Sequence, residues 1–475
     1  MNDATSRGSP WRPSLSSGLA GLVLGGLLGV ALLVTGGVAL AHRLESTGER
    51  DPGALIEAAH VPPLLTAAGD SSQLRYDIYC AAAGADPESG APCDAGGTVY
   101  VRSGGSGAFQ AIPLRLDPHA SEGRYVADVP PEIATSRAGF SYYAVVRNNA
   151  SGAETTIPDG GPSAPQRSMP LGQPVSVSLG THVFGHVRVS DARVASASWG
   201  DGEASVGLEG GPQETPIGAS SFDVDSSGTV TVLDEAHRRL LRFTHGGGRP
   251  IAVPVAVHGT IADLAVASDG TSYVLESAGQ PAGEAPLVRS FAPDGSPKGA
   301  WHTAEPTVSA LRMGPNGPVA LGYPATQWMP VVLGGTALDR QGQLQRASAG
   351  RPLPGGGDMV VLLHGNEVRV AEVGRSGVQR SWRISSQTPV AEVQLAQPIG
   401  NLLALVLRVY TDTRDEFVVL LLDGHGIARQ FSIDSADWAE TAPLSRFRLV
   451  ETSLYQLGST PAGMFVDRFD LGVSQ

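Results

Sequence analysis

Five residues in one stretch of the chain have the types and spacing of a calcium-binding loop. Asp223, Asp225, Ser227, Gly228 and Asp234 match the pattern D-x-D-x-S-G-x5-D, which supplies oxygen ligands to Ca²⁺, usually between two helices. The residues between them alternate apolar and polar, as the strands of a β-hairpin do. Asp223, Asp225 and Asp234 are therefore candidate metal ligands, with a structural turn as the favoured interpretation.

The rest of the chain offers no recognisable catalytic set. No G-x-S-x-G nucleophile elbow occurs. The histidines of the C-terminal half are irregularly spaced, and none forms the H-x-x-x-H pair of a helical zinc site: His237, His245, His258, His302, His364 and His425. We predict no catalytic residue and no cofactor, and the sequence favours a protein that is not an enzyme.

The two cysteines, Cys80 and Cys93, lie close together in a loop-rich region. Two free thiols in a cytosolic protein are one interpretation. An N-terminal segment typical of export favours the other, a disulfide that closes a short loop outside the cytoplasm. Zinc is disfavoured, because two cysteines without a nearby histidine pair supply too few ligands.

Composition indicates an all-β protein and argues against a strongly anionic partner such as nucleic acid. The 475 residues include 61 Gly and 35 Pro, and only 17% are charged, which suits strands joined by tight turns. The length predicts about two or three domains. A net charge of −13 without any basic block argues against nucleic acid as a partner.

The N-terminus predicts a membrane anchor. Residues 1–14 form a short polar head, and residues 15–41 contain no charged side chain over a length sufficient to cross a bilayer of about 30 Å. We expect the head in the cytoplasm and the bulk of the chain outside the cell membrane. Cleavage after Ala41 is the alternative, since Ala39-Leu40-Ala41 fits a signal-peptidase site.

Three glycines of this segment, Gly21, Gly25 and Gly29, have the four-residue spacing that lets two spans pack closely. A homodimer that packs through these three glycines is one open alternative. Residues 42–65 are polar and proline-containing, and we interpret them as a stalk.

Residues 66–165 predict a small β-sandwich. Short strand-like runs separated by turn residues cover Leu74–Cys80, Gly97–Ser103, Ala108–Leu116, Gly123–Val129 and Gly139–Asn148. The last run, after Val129-Pro130-Pro131, resembles the late strands of immunoglobulin-like or fibronectin type III domains. That resemblance implies a spacer or binding module and carries no functional residue.

Residues 166–475 contain a repeat. The turn glycines Gly228, Gly270 and Gly317 are separated by 42 and 47 positions, the period of a four-stranded propeller blade. The unit Phe222–Phe243 and its copy Leu264–Phe291 resemble NHL-type repeats of six-bladed β-propellers. The resemblance implies a propeller, most simply of six blades, with further β-sandwiches as the rival architecture. We expect Thr181–Ala192 to close the ring by joining the last blade.

These features predict a membrane-anchored, extracytoplasmic binding or scaffolding protein. A loop face of the propeller would take a protein or glycan ligand. The alternative is an exported, metal-dependent hydrolase of the lactonase or esterase kind, with its site in the propeller channel. The residues that line the channel distinguish the two, because a metal site needs converging carboxylates and arginines would repel the ion.

Overall fold

The computed structural model describes residues 56–67, 70–80, 91–118, 123–210, 214–245, 248–258, 262–276, 285–305, 307–322 and 327–473. The predicted head, the predicted spanning segment with Gly21, Gly25 and Gly29, and residues 42–55 of the predicted stalk lie outside these ranges. Within the described ranges, no helix has the length and apolar character needed to cross a membrane.

Eleven strands form two sheets in the first part of the described chain. They are β1 Ile56–Ala59, β2 Leu65–Thr66, β3 Gln73–Cys80, β4 Ala91–Pro92, β5 Ala95–Ser103, β6 Gln110–Pro113, β7 Arg115–Leu116, β8 Arg124–Asp128, β9 Phe140–Asn148, β10 Glu154–Ile157 and β11 Gln166–Pro170. One sheet contains β1, β3, β4, β7 and β8, and the other contains β2, β5, β6, β9, β10 and β11. A helix, Pro131–Ala134, precedes β9.

The two sheets share one core because their strands alternate apolar and polar residues. In β3, the side chains of Leu74, Tyr76 and Ile78 are buried while those between them are not. They pack against Val99 and Tyr142 of the facing sheet in one hydrophobic cluster. The sandwich extends beyond the predicted bounds, since β1 and β2 lie in the expected stalk and β11 follows residue 165.

Among the described residues, the remaining strands form six larger sheets, which we number I to VI in chain order, and one separate two-stranded hairpin. The strands are β12 Val175–Ser178, β13 Ala192–Ser198, β14 Ser221–Val224, β15 Val230–Asp234, β16 Arg239–Phe243, β17 Ile251–Pro254, β18 Ala262–Val266, β19 Ser272–Glu276, β20 Leu287–Phe291, β21 Pro297–His302, β22 Val308–Gly314, β23 Gly317–Gly322, β24 Trp328–Pro330, β25 Val332–Leu333, β26 Thr336–Ala337, β27 Arg351–Pro352, β28 Asp358–His364, β29 Glu367–Gly374, β30 Gly377–Ser385, β31 Val390–Ile399, β32 Leu402–Tyr410, β33 Asp415–Leu422, β34 Ile427–Asp434, β35 Phe447–Val450, β36 Ser453–Thr460 and β37 Gly463–Asp470. A second helix, Arg340–Gln345, follows the small hairpin β25–β26.

Each large sheet is built on a meander of consecutive antiparallel strands. Sheets I, II and V hold β14–β17, β18–β21 and β31–β34, and sheet III holds β22–β24. Sheet IV runs β27–β30 with β12 added at its outer edge, and sheet VI runs β35–β37 with β13 added. Strands at the inner side of neighbouring sheets contact one another: β14 with β18, β18 with β22, β28 with β31, β31 with β35, and β35 with β14. All of these are first strands of their sheets except β28, which is the second strand of sheet IV. This is a β-propeller-like arrangement.

The ring is closed by a strand from the start of this region, as propeller closure requires. The strand β13 pairs antiparallel with the last strand, β37, so that Ala197 lies opposite Met464. The prediction of closure by an early segment is confirmed, but the predicted segment, Thr181–Ala192, was wrong except for its last residue. Ala195 and Ala197 of β13 are buried in the cluster that joins sheets VI and I, which accounts for the choice of this strand.

Apolar clusters join the sheets face to face around the ring. Separate clusters link VI to I, I to II, II to III, IV to V, and V to VI. The second face of sheet IV, with Val360 and Ala371, packs instead on Leu65, Met169 and Leu171 of the sandwich region. Within the described ranges, no such cluster joins III to IV, so the sandwich packs where that contact would be.

Candidate functional site

Charged side chains meet where the first strands of the sheets converge. Asp223 and Arg312 lie in the C-terminal halves of the first strands of sheets I and III, and Arg448 is the second residue of the first strand of sheet VI. Apolar residues flank each of them along its strand, so the strand is held by packing while the charged side chain extends towards the centre. We call the group of Asp223, Asp263, Arg312, Arg351 and Arg448 the axial cluster.

Asp263 is the most fully bonded member of the axial cluster. Its Oδ2 accepts hydrogen bonds from Arg312 Nη1 and from the Leu311 amide, both at 2.7 Å. Its Oδ1 accepts from the hydroxyls of Ser221 and Ser445, both at 2.6 Å. Burial acts to raise the pKa of Asp263, but Arg312 and Arg448 outweigh it, and the pKa lies below its ordinary value. Asp263 is therefore an anion held in place from sheets I, III and VI.

Arg448 contacts residues of two other sheets. Its Nη2 lies 3.4 Å from Asp263 Oδ1, its Nε lies 3.6 Å from Asp223 Oδ1, and its guanidinium stacks 5.3 Å above the ring of Phe222. Burial, together with the neighbouring Arg312, lowers the pKa of Arg448 to about 10. Arg448 remains a cation at neutral pH and bridges sheets VI, I and II.

Arg312 ties opposite parts of the ring together. Besides its bond to Asp263, it donates from Nη2 to the backbone carbonyl of Leu444, in the segment that leads into β35. Leu444 has a φ of 60°, a left-handed conformation that is uncommon for a residue with a branched side chain. Asp223 accepts a 2.7 Å hydrogen bond from the Val266 amide, and burial raises its pKa above the ordinary value. The centre of the ring is thus filled by an ion network.

Arg351 is the fifth member and the least compensated. It lies in β27, which pairs with the inner edge of β28. Its Nη2 donates to Gln397 Oε1 at 3.0 Å, and Gln397 is fixed in turn by a bond to the Leu449 carbonyl. Burial and the nearby Arg312 and Arg448 lower the pKa of Arg351 to about 10. A cation at this position has other cations as its charged neighbours.

The three candidate calcium ligands have different roles in the structure. Asp225 Oδ1 accepts from the amides of Ser227 and Thr229 and so closes the turn before Gly228, whose φ of 80° suits glycine. Asp234 is fully buried, and its Oδ2 meets His237 Nδ1 and Arg239 Nε, each at 2.8 Å. Asp223 belongs to the axial cluster. Within the described ranges, no three His, Cys, Asp or Glu side chains are grouped to hold a metal ion.

Two other features bear on function. Cys80 and Cys93 form a disulfide with a Cα–Cα distance of 5.5 Å, as the sequence predicts. A cavity of about 350 Å³ lies between sheets IV and V, beside the segment Leu179–His186. His182 at its wall bonds through Nε2 to Glu416 at 2.8 Å, and the Gly185 amide donates to the same carboxylate. This pair anchors a loop, and no hydroxyl among the described residues is hydrogen-bonded to the His182 ring.

The axial cluster, apart from Asp223, was missed by sequence reasoning. Its members come from separate repeats, and the blurred repeats from residue 311 onwards hid their equivalence. One signal was available. Arg312 and Arg448 are single arginines inside apolar runs, LRM and FRLV, where a strand buried on both faces would otherwise carry no charge.

Comparisons with known proteins show only a low level of structural likeness and carry no argument for fold or function. No family model matches the sequence, and no curated protein matches it. Solved structures with some likeness include virginiamycin B lyase from Staphylococcus aureus, with a TM-score of 0.29 and 10% identity over 53% of this chain and 94% of that one.

Two further structures have the same low level of likeness. An auxiliary nutrient binding protein from Bacteroides thetaiotaomicron has a TM-score of 0.31 and 9% identity, covering 89% of this chain and 100% of that one. A PQQ-bound aldose sugar dehydrogenase from Streptomyces coelicolor has a TM-score of 0.29 and 11% identity over 59% and 97%. The strand pairing described above is the basis for the fold.

Proposed function

We propose that this protein is a membrane-anchored, extracytoplasmic binding or scaffolding protein. Its outer part would be an immunoglobulin- or fibronectin III-like sandwich followed by a six-bladed propeller of the NHL type. A loop face of the propeller would take a protein or glycan ligand. The six meander sheets and the closing strand β13 support the blade count. The disulfide Cys80–Cys93 supports an oxidising compartment.

The axial cluster is the observation that carries the choice of binding over catalysis. A channel metal requires several carboxylates with free oxygens, and a divalent ion placed here would face the guanidinium groups of Arg312 and Arg448. Both axial carboxylates are already engaged by arginines and amides. The cluster therefore favours a rigid scaffold whose ends present loops, and it disfavours the exported hydrolase with an axial metal.

Function is tested on the full chain reconstituted in lipid nanodiscs. We expect Ca²⁺ and Mn²⁺ to leave the melting temperature unchanged and to produce no hydrolysis of lactone or ester substrates. Metal-dependent turnover that is lost in the variant Asp263→Asn would contradict the proposal and restore the hydrolase. The variant Asp225→Asn is the matched control, because Asp225 lies in an exposed turn outside the axial cluster.

Location is tested separately in cells that express the full chain. The protein should sediment with the membrane, carry an oxidised Cys80–Cys93 pair, and be digested by protease added outside the inner membrane. A soluble exported product whose first residue is His42 would instead support cleavage after Ala41. A reduced protein in the cytosol would refute the extracytoplasmic location.

A further inference from the structure

Residues 179–188, which we call the strap, connect β12 at the edge of sheet IV with β13 at the edge of sheet VI, and cross the edge of sheet V on the way. At the start of the strap, the His182 amide donates to Thr388 Oγ1 at 2.8 Å. At its end, the Arg188 amide donates to the Ser432 carbonyl of β34, also at 2.8 Å. The strap has no regular secondary structure, but these bonds fix it at both ends.

The strap lines the cavity of about 350 Å³ between sheets IV and V. On the side of sheet V, the cavity has an apolar floor made by Val409 and Val418, which belong to the buried cluster between the two sheets. The volume lies at the lower end of the range for small-molecule sites, about 300–1,000 Å³. The cavity is therefore large enough for a ligand of about one ring.

Two polar side chains of β34 face this cavity. Gln430 and Ser432 lie directly opposite Leu420 and Val418 of β33, which are buried in the cluster between sheets IV and V. Residues directly opposite each other share one face of a sheet, so Gln430 and Ser432 also face sheet IV. Both line the cavity. A face that only packed against apolar neighbours would not require polar side chains at these positions.

Ser432 is the lining residue that most directly indicates a ligand. It is only 8% exposed, and its hydroxyl has no hydrogen-bond partner among the described residues. Its Oγ is not one of the fully enclosed atoms that lack a partner, so the hydroxyl opens onto the cavity that the residue lines. Within the same part of the chain, the amide of Gln430 and the ring of His186 line the cavity and make no side-chain hydrogen bond either. These groups leave several donors and acceptors for a ligand.

The cavity wall carries no formal charge. Among the described residues, no Asp, Glu, Lys or Arg lines it. The carboxylate of Glu416 does not line it and is already bonded to His182 Nε2 and to the Gly185 amide. A charged ligand would lose its hydration here without gaining an ionic partner, which is unfavourable. The cavity therefore suits a neutral ligand with several hydrogen-bonding groups.

We propose that this cavity binds one neutral sugar unit, either a free monosaccharide or the terminal residue of a glycan. Sugar hydroxyls both donate and accept hydrogen bonds, as do the groups presented by Gln430, Ser432 and His186. The C–H face of the sugar ring would pack on Val409 and Val418. This inference rests on the proposed binding function and deepens it, because it names the class of ligand and a site for it beside the strap.

The experiment measures sugar binding to the full chain in lipid nanodiscs by titration calorimetry and saturation-transfer NMR. The probes are glucose, galactose and mannose, each as the free sugar, as the methyl glycoside and as the corresponding uronate. We expect at least one neutral sugar to bind and its uronate to bind at least tenfold more weakly. Binding of the methyl glycoside would support the terminal residue of a glycan as the ligand, and binding of the free sugar alone would support a monosaccharide. No binding by any neutral sugar, or equal binding of the uronate, would overturn the proposal.

Three variants make the test specific to the cavity. Ser432→Val and Gln430→Leu each remove a hydrogen-bonding group from the wall and should weaken sugar binding at least tenfold. Gln110→Leu is the matched control, because Gln110 is an exposed glutamine on β6 of the sandwich, and its affinity should equal that of the wild type. Unchanged affinity in both cavity variants would place any sugar elsewhere and contradict the inference.

Failure to fold does not obscure the outcome. Ser432→Val removes a buried hydroxyl that has no partner, so in the absence of sugar we expect it to melt at or above the wild-type temperature. A variant that melts well below the wild type would show that the hydroxyl is already bonded, and would sink the inference. Absent sugar binding in a protein with the correct membrane location would refute this site and leave the proposed function standing.

Discussion

At the scale of single residues, burial rather than sequence spacing sets the chemistry of the ionisable groups. His60 is a second example, in the sandwich. Its ring stacks on Tyr76 at a centroid distance of 4.3 Å, and its Nδ1 donates to the Arg75 carbonyl at 2.7 Å. In the neutral ring, the Nε2 atom then accepts a hydrogen bond from the Tyr142 hydroxyl. Burial lowers the pKa of His60 to about 4, although the bond to Arg75 acts in the opposite direction.

This shift makes the stability of the sandwich depend on pH. The unfolded chain binds the proton near its ordinary pKa of about 6.5, so the contribution of neutral His60 is complete above that pH and is lost as the pH falls towards 4. We expect the free energy of unfolding to be about 2 kcal/mol lower at pH 5 than at pH 7. Urea denaturation of His60→Gln should show this difference abolished. His425→Gln, at an exposed histidine, should retain it. An unchanged pH dependence in His60→Gln would contradict the assignment.

The contacts of the axial cluster were only weakly signalled in the sequence. The pattern around Asp223 predicted a turn or a calcium loop, and the turn is formed by Asp225. The role of Asp223 depends on Val266 and Arg448, which lie in other sheets. Such long-range pairing leaves no spacing rule in the chain, and only the charge inside an apolar strand signals it.

At the scale of elements, sequence was most informative where local patterns are strong. The repeat Phe222–Phe243 gives β14, β15 and β16, because period-2 alternation and the turn at Gly228 fix the register of a hairpin. The prediction that Thr181–Ala192 closes the ring was wrong, because an exposed segment and a closing strand can have similar local β-strand propensity. The strand β13 closes the ring instead, because its Ala195 and Ala197 are buried against neighbouring sheets, which is a tertiary effect.

The closing strand should control the stability of the whole ring. Ala197→Glu places a carboxylate in the cluster between sheets VI and I, without a partner, and should lower the free energy of unfolding by about 3 kcal/mol. Ser196→Glu, one residue earlier on the exposed face of the same strand, should change it by less than about 0.5 kcal/mol. Calorimetry compares the two melting temperatures. Equal effects would mean that β13 does not close the ring.

The disulfide is a second element-scale prediction. Cys80 and Cys93 join the end of β3 to the loop before β5, and the loop that they close is short. In the chain-entropy model, replacing both by serine should lower the free energy of unfolding by about 3 kcal/mol. Denaturation with and without a reductant provides the internal check, because reduction should affect the wild type and leave the double variant unchanged. If reduction left the stability of the wild type unchanged, the stabilising role of the disulfide would be refuted.

At the scale of the whole molecule, the sandwich and the ring are joined by buried polar contacts. Arg369 of sheet IV is 4% exposed, and it donates to Asp70 Oδ1 at 2.8 Å and to the Leu65 carbonyl at 2.9 Å. From the sequence we predicted two separate domains, residues 66–165 and residues 166–475. Packing of Leu65, Met169 and Leu171 on sheet IV could not be predicted, since it depends on the gap between sheets III and IV.

These contacts predict that the two parts unfold together. Asp70→Ala removes one of the charged partners of the buried Arg369 guanidinium and should lower the free energy of unfolding by about 2 kcal/mol. It should also split one calorimetric transition into two. Asp128→Ala removes a pair with Arg115 whose side chains are 55% and 51% exposed, and should cost less than about 1 kcal/mol. Two separate transitions already in the wild type would show that the parts are independent.

The central claim is that the propeller axis is a fixed cationic centre and not a metal site. The most direct measurement is anomalous diffraction from crystals of the protein grown with added Mn²⁺. We expect no manganese peak on the axis, because Asp223 and Asp263 are engaged by amides and arginines. A manganese peak held by Asp223 and Asp263 would contradict it.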